Sequence, residues 1–443
     1  MTCPGRLVRE RLDPIVNPGA VSSHVHQIAG GGGFNATMSY EDARAAKCSS
    51  CMIKEDMSNY WTPELYVKHK DGIFEPVPVV GDGNDVNGGM TVYYLQRRGD
   101  DPNELLHAFP KDFRMLAGDP FKRSLDSDLA FKAISFNCLG SENPESNSIP
   151  PYNCPGGLRA QVFFPACWDG INVDSSDHKS HMSYPSGGEY NTGPCPSSHP
   201  VHLISLFYEV HYDTNRYLSD WTGTQHPFVF ANGDATGYGF HGDFLNGWDI
   251  AVLQRAIDLC GDGIARPEEC PAVTMFTREQ SSACKLPASV TENVKGRLAK
   301  LPGCNPVTYG PDRAVRQQCD DTATLGAFDT RSVDLTQLLR WEYLGCGSDA
   351  VAARALPFST MSEQMTVETC VETCADKGYR YAGLEYAREC FCGDVIEDRY
   401  KPKQGVFGSC SMECAGNAGQ ICGGPNAISL YGKCEEGEEC KNV

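Results

Sequence analysis

The segment Gly233-Asp-Ala-Thr-Gly-Tyr-Gly-Phe-His-Gly-Asp-Phe-Leu-Asn-Gly-Trp-Asp249 lies in the middle of the chain, and the first two-thirds of the sequence is organised around it. Five glycines separate three carboxylates and one imidazole. Glycine allows a sharp turn and a close approach of the backbone to a ligand. The segment therefore predicts a site at His241 and Asp243. The alternative is a glycine-rich loop whose Asp and His side chains bond its own turn amides.

Regular structure is predicted on both sides of this segment. Residues 201–212 alternate as in a strand, with apolar residues such as Tyr208 on one face and Glu209 on the other. After the segment, apolar residues recur at helical spacing, and Asp249 stands at the N-cap position. The pattern therefore places Glu209 beside His241 and Asp243.

Charge and cysteine content define the class of protein. The 443 residues carry a net charge of −19, which argues against nucleic acid and anionic membrane surfaces as partners. No apolar run approaches the roughly 20 residues that span a bilayer. Twenty-two cysteines are typical of a secreted, disulfide-bonded protein. The sequon at Asn35 adds a possible N-glycan, and we expect an extracellular or cell-wall location.

The spacing of turn residues and cysteines predicts two domains. Up to residue 330, short strands alternate with Gly, Pro, Asn and Asp clusters, which predicts a large β-sandwich or jelly-roll-like domain with few helices and several disulfides. Residues 341–432 have the cysteine density of a small disulfide-rich α+β domain. Residues 433–443 form an acidic tail. The fold class is therefore mainly β.

The second domain resembles a WSC domain, a fungal cell-wall-stress module that binds polysaccharide. The resemblance rests on eight cysteines at family-like spacing and on motifs such as Tyr343-Leu-Gly-Cys346, Glu389-Cys-Phe-Cys-Gly393 and Cys422-Gly-Gly-Pro-Asn426. It implies four disulfides, a small sheet packed on a helix, and binding to glucan- or xylan-type chains.

Residues 3 to about 320 resemble a fungal secreted family known as domain of unknown function nineteen-ninety-six. Besides the central segment, the motifs that carry this resemblance are Asp13-Pro-Ile-Val-Asn-Pro-Gly19, Ser23-His-Val-His26, Ser58-Asn-Tyr-Trp-Thr-Pro63, Pro155-Gly-Gly-Leu-Arg159, Cys167-Trp-Asp-Gly170 and His178-Lys-Ser-His181. The family name implies no mechanism, so the chemistry rests on the residues.

Two histidines indicate a metal site. If residues 21–28 form a strand, His24 and His26 share one face, a geometry that chelates Zn²⁺ or Cu²⁺. His181 is the predicted third ligand, with His241 as a further supplement. Alternatively, the strand histidines line a polar groove and bond sugars.

The carboxylates suggest a second kind of chemistry. Asp234, Asp243 and Glu209, together with His241, are sufficient for acid/base cleavage of a glycosidic bond, which needs two carboxyls at a suitable separation. The same groups can instead cap turns without turnover. A lyase is a further possibility, in which His241 or Tyr238 is the base and Arg159 or Lys179 holds a uronate.

Aromatic and polar side chains near these motifs are predicted to contact glycan. In the large domain they are Arg159, Trp168, Asp169, Tyr238 and Trp248, and in the small domain they are Tyr381, Tyr386 and Phe391.

Two functions from different classes remain open. The first is a secreted carbohydrate-active enzyme, a hydrolase or a lyase, that is targeted by the WSC module. The second is a glycan-binding or structural cell-wall protein without turnover.

Overall fold

The structure is a computed structural model, and it describes residues 1–80, 89–261, 266–319, 321–325, 333, 335, 339–350, 354–402, 410, 412–435 and 440. These residues form two compact units. Unit 1 contains Met1–Leu286 and Arg297–Thr324, and unit 2 contains Pro287–Gly296 and the chain from Leu325 onward. More than half of the linker expected near 320–334 and most of the acidic tail lie outside the described residues. The domain boundaries taken from the sequence stay a prediction.

Unit 1 is built mainly from short strands. In chain order the strands are β1 (Thr2–Cys3), β2 (Val8–Glu10), β3 (His26–Gly30), β4 (Asn59–Pro63), β5 (Leu65–Lys68), β6 (Phe74–Pro76), β7 (Met90–Leu95), β8 (Arg114–Gly118), β9 (Ile134–Cys138), β10 (Leu158–Phe163), β11 (Cys167–Trp168), β12 (Met182–Ser183), β13 (Val201–His202), β14 (Ser205–Tyr212), β15 (Phe228–Phe230) and β16 (His241–Leu245). The α-helices are α1 (Tyr40–Arg44), α2 (Leu129–Lys132), α3 (Ile250–Cys260) and α4 (Arg278–Ala283), and 3₁₀ turns cover Thr214–Asp220 and Pro267–Glu269.

Two antiparallel five-stranded sheets dominate unit 1. Sheet A has the order β1-β7-β14-β10-β9, and sheet B has the order β2-β3-β4-β16-β8. Two three-stranded sheets, β12-β11-β13 and β15-β5-β6, extend this framework. The result confirms the mainly β fold expected from the sequence, and α3 confirms the helix expected after Asp249, whose side chain caps it by accepting from the Val252 amide at 3.1 Å.

Sheets A and B pack face to face around an aromatic core. The buried ring of Tyr208 in β14 lies 5.6 Å from that of Tyr60 in β4, and its hydroxyl donates to the Asp243 carbonyl at 3.0 Å. The alternation predicted for residues 205–212 is observed, since the even-numbered residues from Leu206 to Tyr212 are buried and Phe207, Glu209 and His211 are half-buried. One face of sheet A therefore fills the sandwich core.

The central glycine-rich segment contributes an inner strand of sheet B. β16 lies between β4 and β8, and its Gly242 faces sheet A. A Cβ atom at Gly242 would lie 2.8 Å from Val162 Cγ1 and 2.9 Å from Phe164 Cζ. Gly242 is therefore needed for close packing of the two sheets, whereas the sequence suggested a turn near a ligand.

Unit 2 combines one sheet with one helix. Its strands are β17 (Trp341–Ser348), β18 (Phe358–Met361), β19 (Tyr381–Glu385), β20 (Glu389–Gly393), β21 (Glu413–Cys414), β22 (Asn417–Ile421) and β23 (Ala427–Lys433), and its helix is α5 (Val367–Asp376). The main sheet has the order β17-β23-β19-β20-β18, and β21 pairs with β22. Cys370 and Cys374 of α5 are buried on the face toward β19 and β20.

All 22 cysteines are paired. Cys48 and Cys51 form separate bonds, with Cys284 and Cys3, so this motif is structural, as the sequence favoured. The predicted bridges Cys260–Cys270 and Cys434–Cys440 are present. The eight family cysteines of unit 2 form four bridges, the number implied by its resemblance, and the structure gives their pairing as Cys346–Cys410, Cys370–Cys390, Cys374–Cys392 and Cys414–Cys422.

We predict that Gly242→Ala lowers the free energy of unfolding by about 1–3 kcal/mol, because the added methyl group overpacks the space between the sheets. Chemical denaturation of the full chain measures this loss. The double variant Gly242→Ala/Val162→Ala should recover part of it, since it removes the nearest clashing atom. A Gly242→Ala protein as stable as the wild type would contradict the proposed packing.

Candidate functional site

The outer face of sheet B, which points away from sheet A, brings two histidines together. His26 in β3 lies opposite Pro63 of β4, and β16 pairs with the other edge of β4 through Asp243 and Trp61. Continuing this antiparallel register by two residues places His241 beside Pro63, in the same row as His26. Since Gly242 faces sheet A, His241 and Asp243 point outward.

A third histidine reaches this row from the segment before β3. His24 lies two residues before the start of β3, outside any strand, so the expected strand over 21–28 is shorter than predicted. The ring centroids of His24 and His26 are 4.4 Å apart, and those of His24 and His241 are 4.9 Å apart. Each of the three side chains offers one ring nitrogen, and these three nitrogens lie within 4.8 Å of one another.

Oxygen atoms orient the three imidazoles, which we call the histidine cluster. The Nδ1 atom of His26 lies 2.9 Å from the Leu12 carbonyl, and that of His241 lies 2.9 Å from the Gly239 carbonyl. A carbonyl oxygen only accepts, so both Nδ1 atoms carry the proton and both Nε2 atoms offer a lone pair. The Nδ1 atom of His24 lies 3.0 Å from the Ser23 hydroxyl.

The Nε2 atoms have the arrangement of metal ligands. Those of His24 and His241 are 3.0 Å apart, while that of His26 is buried without a hydrogen-bond partner. Two nitrogens at about 2.0–2.1 Å from a tetrahedral zinc ion would be about 3.3 Å apart. An imidazole held through Nδ1 by an oxygen is also the usual second-shell arrangement of a metal-bound histidine. The donor set therefore fits a divalent transition metal.

Burial keeps the cluster neutral. Desolvation lowers the pKa of His26 to about 3 and that of His241 to about 4, and it lowers the pKa of His24 well below its usual value. Neutral imidazoles are the form that binds metal. Without a metal, the contact between His24 and His241 requires His24 to donate its Nε2 proton, since the proton of His241 is on Nδ1.

Asp234 supports the cluster instead of facing it. Its carboxylate accepts from the Thr236 amide at 2.8 Å, the Thr236 hydroxyl at 2.6 Å and the Gly239 amide at 2.7 Å. Its Oδ1 atom also lies 3.5 Å from Nε of Arg123, and both side chains are buried. Asp234 thus fixes the turn whose Gly239 carbonyl orients His241.

Asp243 lies on the same face of β16 as His241. Its carboxyl group is buried, and Oδ2 has no hydrogen-bond partner. Desolvation raises its pKa well above the usual range, the nearby Asp13 raises it further, and Lys179 lowers it. Desolvation also raises the pKa of Asp13 to about 6, although the amides of Ile15 and Val16 bond its carboxylate. In the sequence, Asp13 entered only as part of a family motif and was not predicted as a site residue.

Glu209 and His181 lie away from the cluster. Glu209 is on the outer face of sheet A, where Tyr93 donates to it at 3.0 Å. Both ring nitrogens of His181 have other partners, the Ser175 hydroxyl at 2.8 Å and the Arg114 carbonyl at 2.9 Å. The third imidazole beside His24 and His26 is therefore that of His241.

The residues expected to contact glycan differ in exposure. Trp248 and Phe391 are 0% and 4% exposed, so neither ring offers a face to a ligand. Asp169 closes a turn through the Ile171 and Asn172 amides, and Trp168 is half-buried with its Nε1 donating to the Asn172 carbonyl. Arg159, Tyr238 and Tyr381 are half-buried, and Tyr386 is exposed.

One cavity contacts the cluster through His24, and a second lies along β8, the strand that pairs with β16. A cleft of about 400 Å³ is lined by Gly118, which pairs with His241, and by Lys179, Tyr184 and Tyr238. The ammonium group of Lys179 donates to the Gly118 carbonyl. His24 lines a smaller cavity of about 40 Å³. The wide cleft has room for a sugar, whereas the small cavity has room for water.

Two further groups of side chains have ligand-like spacing. They are Cys167, Cys195 and His202, and Cys370, Cys374 and Cys390. Every one of these cysteines forms a disulfide, so neither group offers thiolate ligands. Within the described residues, no helix is long and apolar enough to cross a bilayer.

Fold and site together describe a disulfide-rich β-sandwich protein with a buried histidine cluster, followed by a small cysteine-rich unit. The domain of unknown function DUF1996 matches residues 13–248, which is more than half of the 443 residues. The chain belongs to this family. A WSC domain matches residues 343–424, and WSC domains are associated with carbohydrate binding. Both resemblances drawn from the sequence are confirmed.

Similar curated proteins match parts of the chain. A WSC domain-containing protein of Arthroderma benhamiae is 40% identical over 95 residues, 21% of this chain and 10% of that protein. The xylosyltransferase oxt of Drosophila melanogaster is 40% identical over 90 residues, 20% of this chain and 10% of that protein. Kremen protein 2 of Homo sapiens is 33% identical over 142 residues, 30% of each chain. The chain thus spans between 10% and 30% of the length of these relatives.

We predict that Asp234→Ala lowers the free energy of unfolding by about 3–5 kcal/mol, because it removes the buried carboxylate that pairs with the buried charge of Arg123. Denaturation of the full chain measures the loss. Asp258→Ala, at an exposed position on α3, is the matched control and should change stability by no more than about 0.5 kcal/mol. Equal effects of the two substitutions would contradict the supporting role of Asp234.

Proposed function

We propose that this protein is a secreted carbohydrate-active enzyme. Its large domain cleaves glycan with the help of a metal ion, Zn²⁺ or Cu²⁺, held by His24, His26 and His241. Its WSC domain holds the enzyme on a glucan- or xylan-type polysaccharide. The single observation that carries the proposal is the convergence of three buried imidazoles, each offering one ring nitrogen within 4.8 Å of the other two and each bonded to an oxygen through Nδ1.

The surroundings of the cluster support chemistry on a glycan. A metal bound by three imidazoles would supply a Lewis acid and lower the pKa of a bound water. The chain itself contributes Asp243, which is the candidate proton donor. Its buried carboxyl group lies on the same face of β16 as His241. Tyr238 and Tyr184 line the neighbouring cleft, where a sugar ring would bind. The cleft gives the substrate a place next to the strand that holds His241.

The disulfides, the WSC domain and the sequon support the proposed location and partners. Eleven disulfides and a WSC domain fit an extracellular protein. The exposed side chain of Asn35 is accessible for an N-glycan. We propose that the partner is cell-wall polysaccharide and that neither nucleic acid nor a membrane is one.

The second candidate function is a glycan-binding or structural wall protein. One observation favours it, because His24 and His241 are each only 6% exposed and His26 is fully buried. Closed metal sites are usually structural, whereas catalytic ones keep an open position. In that case the metal would stabilise sheet B, and the cleft would hold glycan without cleaving it.

We predict that protein purified without an affinity tag contains stoichiometric zinc or copper, and that His24→Ala or His26→Ala abolishes this content by removing one of three ligands. Elemental analysis of the purified chain measures it. The control is His107→Ala, since His107 is exposed and not part of the cluster. A wild-type chain that stays free of metal after incubation with either ion would remove the metal centre and leave the carboxylates to be tested.

Product release distinguishes the two functions. The metal-loaded protein should release oligosaccharides from at least one of a panel of neutral and acidic wall glycans, and Asp243→Asn should reduce this release at least tenfold, because it removes the proton donor. Asp258→Asn is the control. Metal-loaded protein that releases nothing from any glycan would favour the binding function.

Adsorption tests the role of the WSC domain. Tyr386 is 45% exposed at the tip of the β19–β20 hairpin, so its ring is open to a sugar. We predict that Tyr386→Ala weakens adsorption of the full chain to insoluble wall polysaccharide by about two- to tenfold, in line with about 0.5–1.5 kcal/mol for an aromatic contact. The matched control is Tyr309→Ala, at a tyrosine of unit 1 that is 55% exposed. Equal adsorption of the two variants would exclude Tyr386 from the binding surface.

A further inference from the structure

The outer face of sheet A carries a row of aromatic rings. Tyr93 lies opposite Phe207, and Phe207 lies opposite Phe163, on the neighbouring strands β7, β14 and β10. The ring centroids are 5.5 and 5.6 Å apart, and the planes are tilted by 31° and 33°. Tyr190 extends the row, 5.7 Å from Phe163. Phe163 is buried beneath its neighbours, while Tyr93, Phe207 and Tyr190 are half-buried and retain exposed surface.

Hydrogen-bonding side chains form the next row of the same face. Glu209 lies opposite Gln161, and Gln161 lies opposite Ser135. Gln161 donates to the Ser135 hydroxyl at 2.7 Å, and Arg159 donates to the Gln161 side chain at 2.5 Å. These contacts preorganise polar groups alongside the aromatic row, at positions set by the register of the strands.

The charged groups on this face carry a small negative excess. The guanidinium of Arg159 lies 3.4 Å from a carboxylate oxygen of Glu209 and 3.4 Å from one of Glu145. The two carboxylates neutralise Arg159 and leave a small excess of negative charge. A uronate or a sulfated sugar would therefore be repelled, whereas a neutral sugar would not.

We propose that this face binds a neutral polysaccharide chain, at a site separate from the histidine cluster on sheet B. A pyranose ring has apolar C–H faces, which pack on Tyr93, Phe207 and Tyr190, and a rim of hydroxyls, which bond the carboxylate of Glu209 and the guanidinium of Arg159, while the buried Gln161 holds Arg159 in place. Sites of this kind combine aromatic surface with a few well-placed polar groups. The proposal rests on the polysaccharide partner of the proposed function but not on the metal.

The proposed site on sheet A gives a role to two predicted site residues that are not part of the histidine cluster. Glu209 and Arg159 were singled out in the sequence as a catalytic acid and a sugar ligand, yet they lie on the opposite sheet from His241. On sheet A they bond to each other and border the aromatic row. Their role here is recognition, which would hold a long substrate chain on the large domain.

Affinity electrophoresis of the full chain tests the site, with Tyr386→Ala as the parent so that the WSC contribution is reduced. The probes are soluble β-glucan and arabinoxylan, which are neutral, and polygalacturonate, which is acidic. Tyr93→Ala should weaken binding to at least one neutral probe by about two- to tenfold, as expected for one lost aromatic contact. Tyr93→Phe, which keeps the ring, should retain most of the binding. Tyr309→Ala is the matched control.

Thermal melting and metal content show whether each variant is folded, and both should match the parent. A Tyr93→Ala protein that binds both neutral probes as well as the Tyr309→Ala control would overturn the proposed site. So would tighter binding to polygalacturonate than to either neutral probe. If neutral binding is unchanged while metal-dependent product release persists, this site fails and the proposed function stands. If the metal-loaded protein releases no product while binding to a neutral probe still depends on Tyr93, the proposed enzyme function fails and this site stands.

Discussion

The orientation of the three imidazoles is the constraint on which the proposed centre depends. A carbonyl oxygen can only accept, so the carbonyls of Leu12 and Gly239 determine which nitrogen of His26 and of His241 carries the proton. The other nitrogen of each ring then faces the cluster as a lone pair. Two of the three side chains are thus held by backbone atoms, whose positions depend on the surrounding turns. Asp234 fixes one of these turns by accepting from the Gly239 amide.

Strand β16 connects this centre to the core of the sandwich. Gly242 lets sheet A approach on one side, and His241 and Asp243 point outward on the other. The strand is flanked by β4 and β8, so the backbone that carries both side chains is hydrogen-bonded along both edges. Residues on such a rigid element hold their geometry better than residues on a loop.

Recognition and chemistry are placed on different surfaces in this proposal. The histidine cluster lies on sheet B, whose edge strand β8 lines a cleft of about 400 Å³, while the aromatic row lies on the outer face of sheet A. The WSC domain adds a further surface around Tyr386. Several weak contacts along one polysaccharide raise the effective affinity for the whole chain. A protein of this design would remain on insoluble material although each contact alone is weak.

The sequence by itself determined the mainly β class, the disulfide-bonded character, both families, and the helix after Asp249, because these depend on local spacing and composition. It also singled out His24, His26, Asp243 and His241 as candidate site residues. It named His181 as the third ligand and His241 only as a supplement, because strand register decides which distant side chains meet, and a single sequence does not contain that register. It could not separate Glu209 from the cluster either, because alternation shows that a strand has two faces but not what each face meets. Only the tertiary structure placed His241 in the row of His26 and Glu209 on the opposite sheet, through the pairing of β16 with β4 and the packing of sheet A on sheet B.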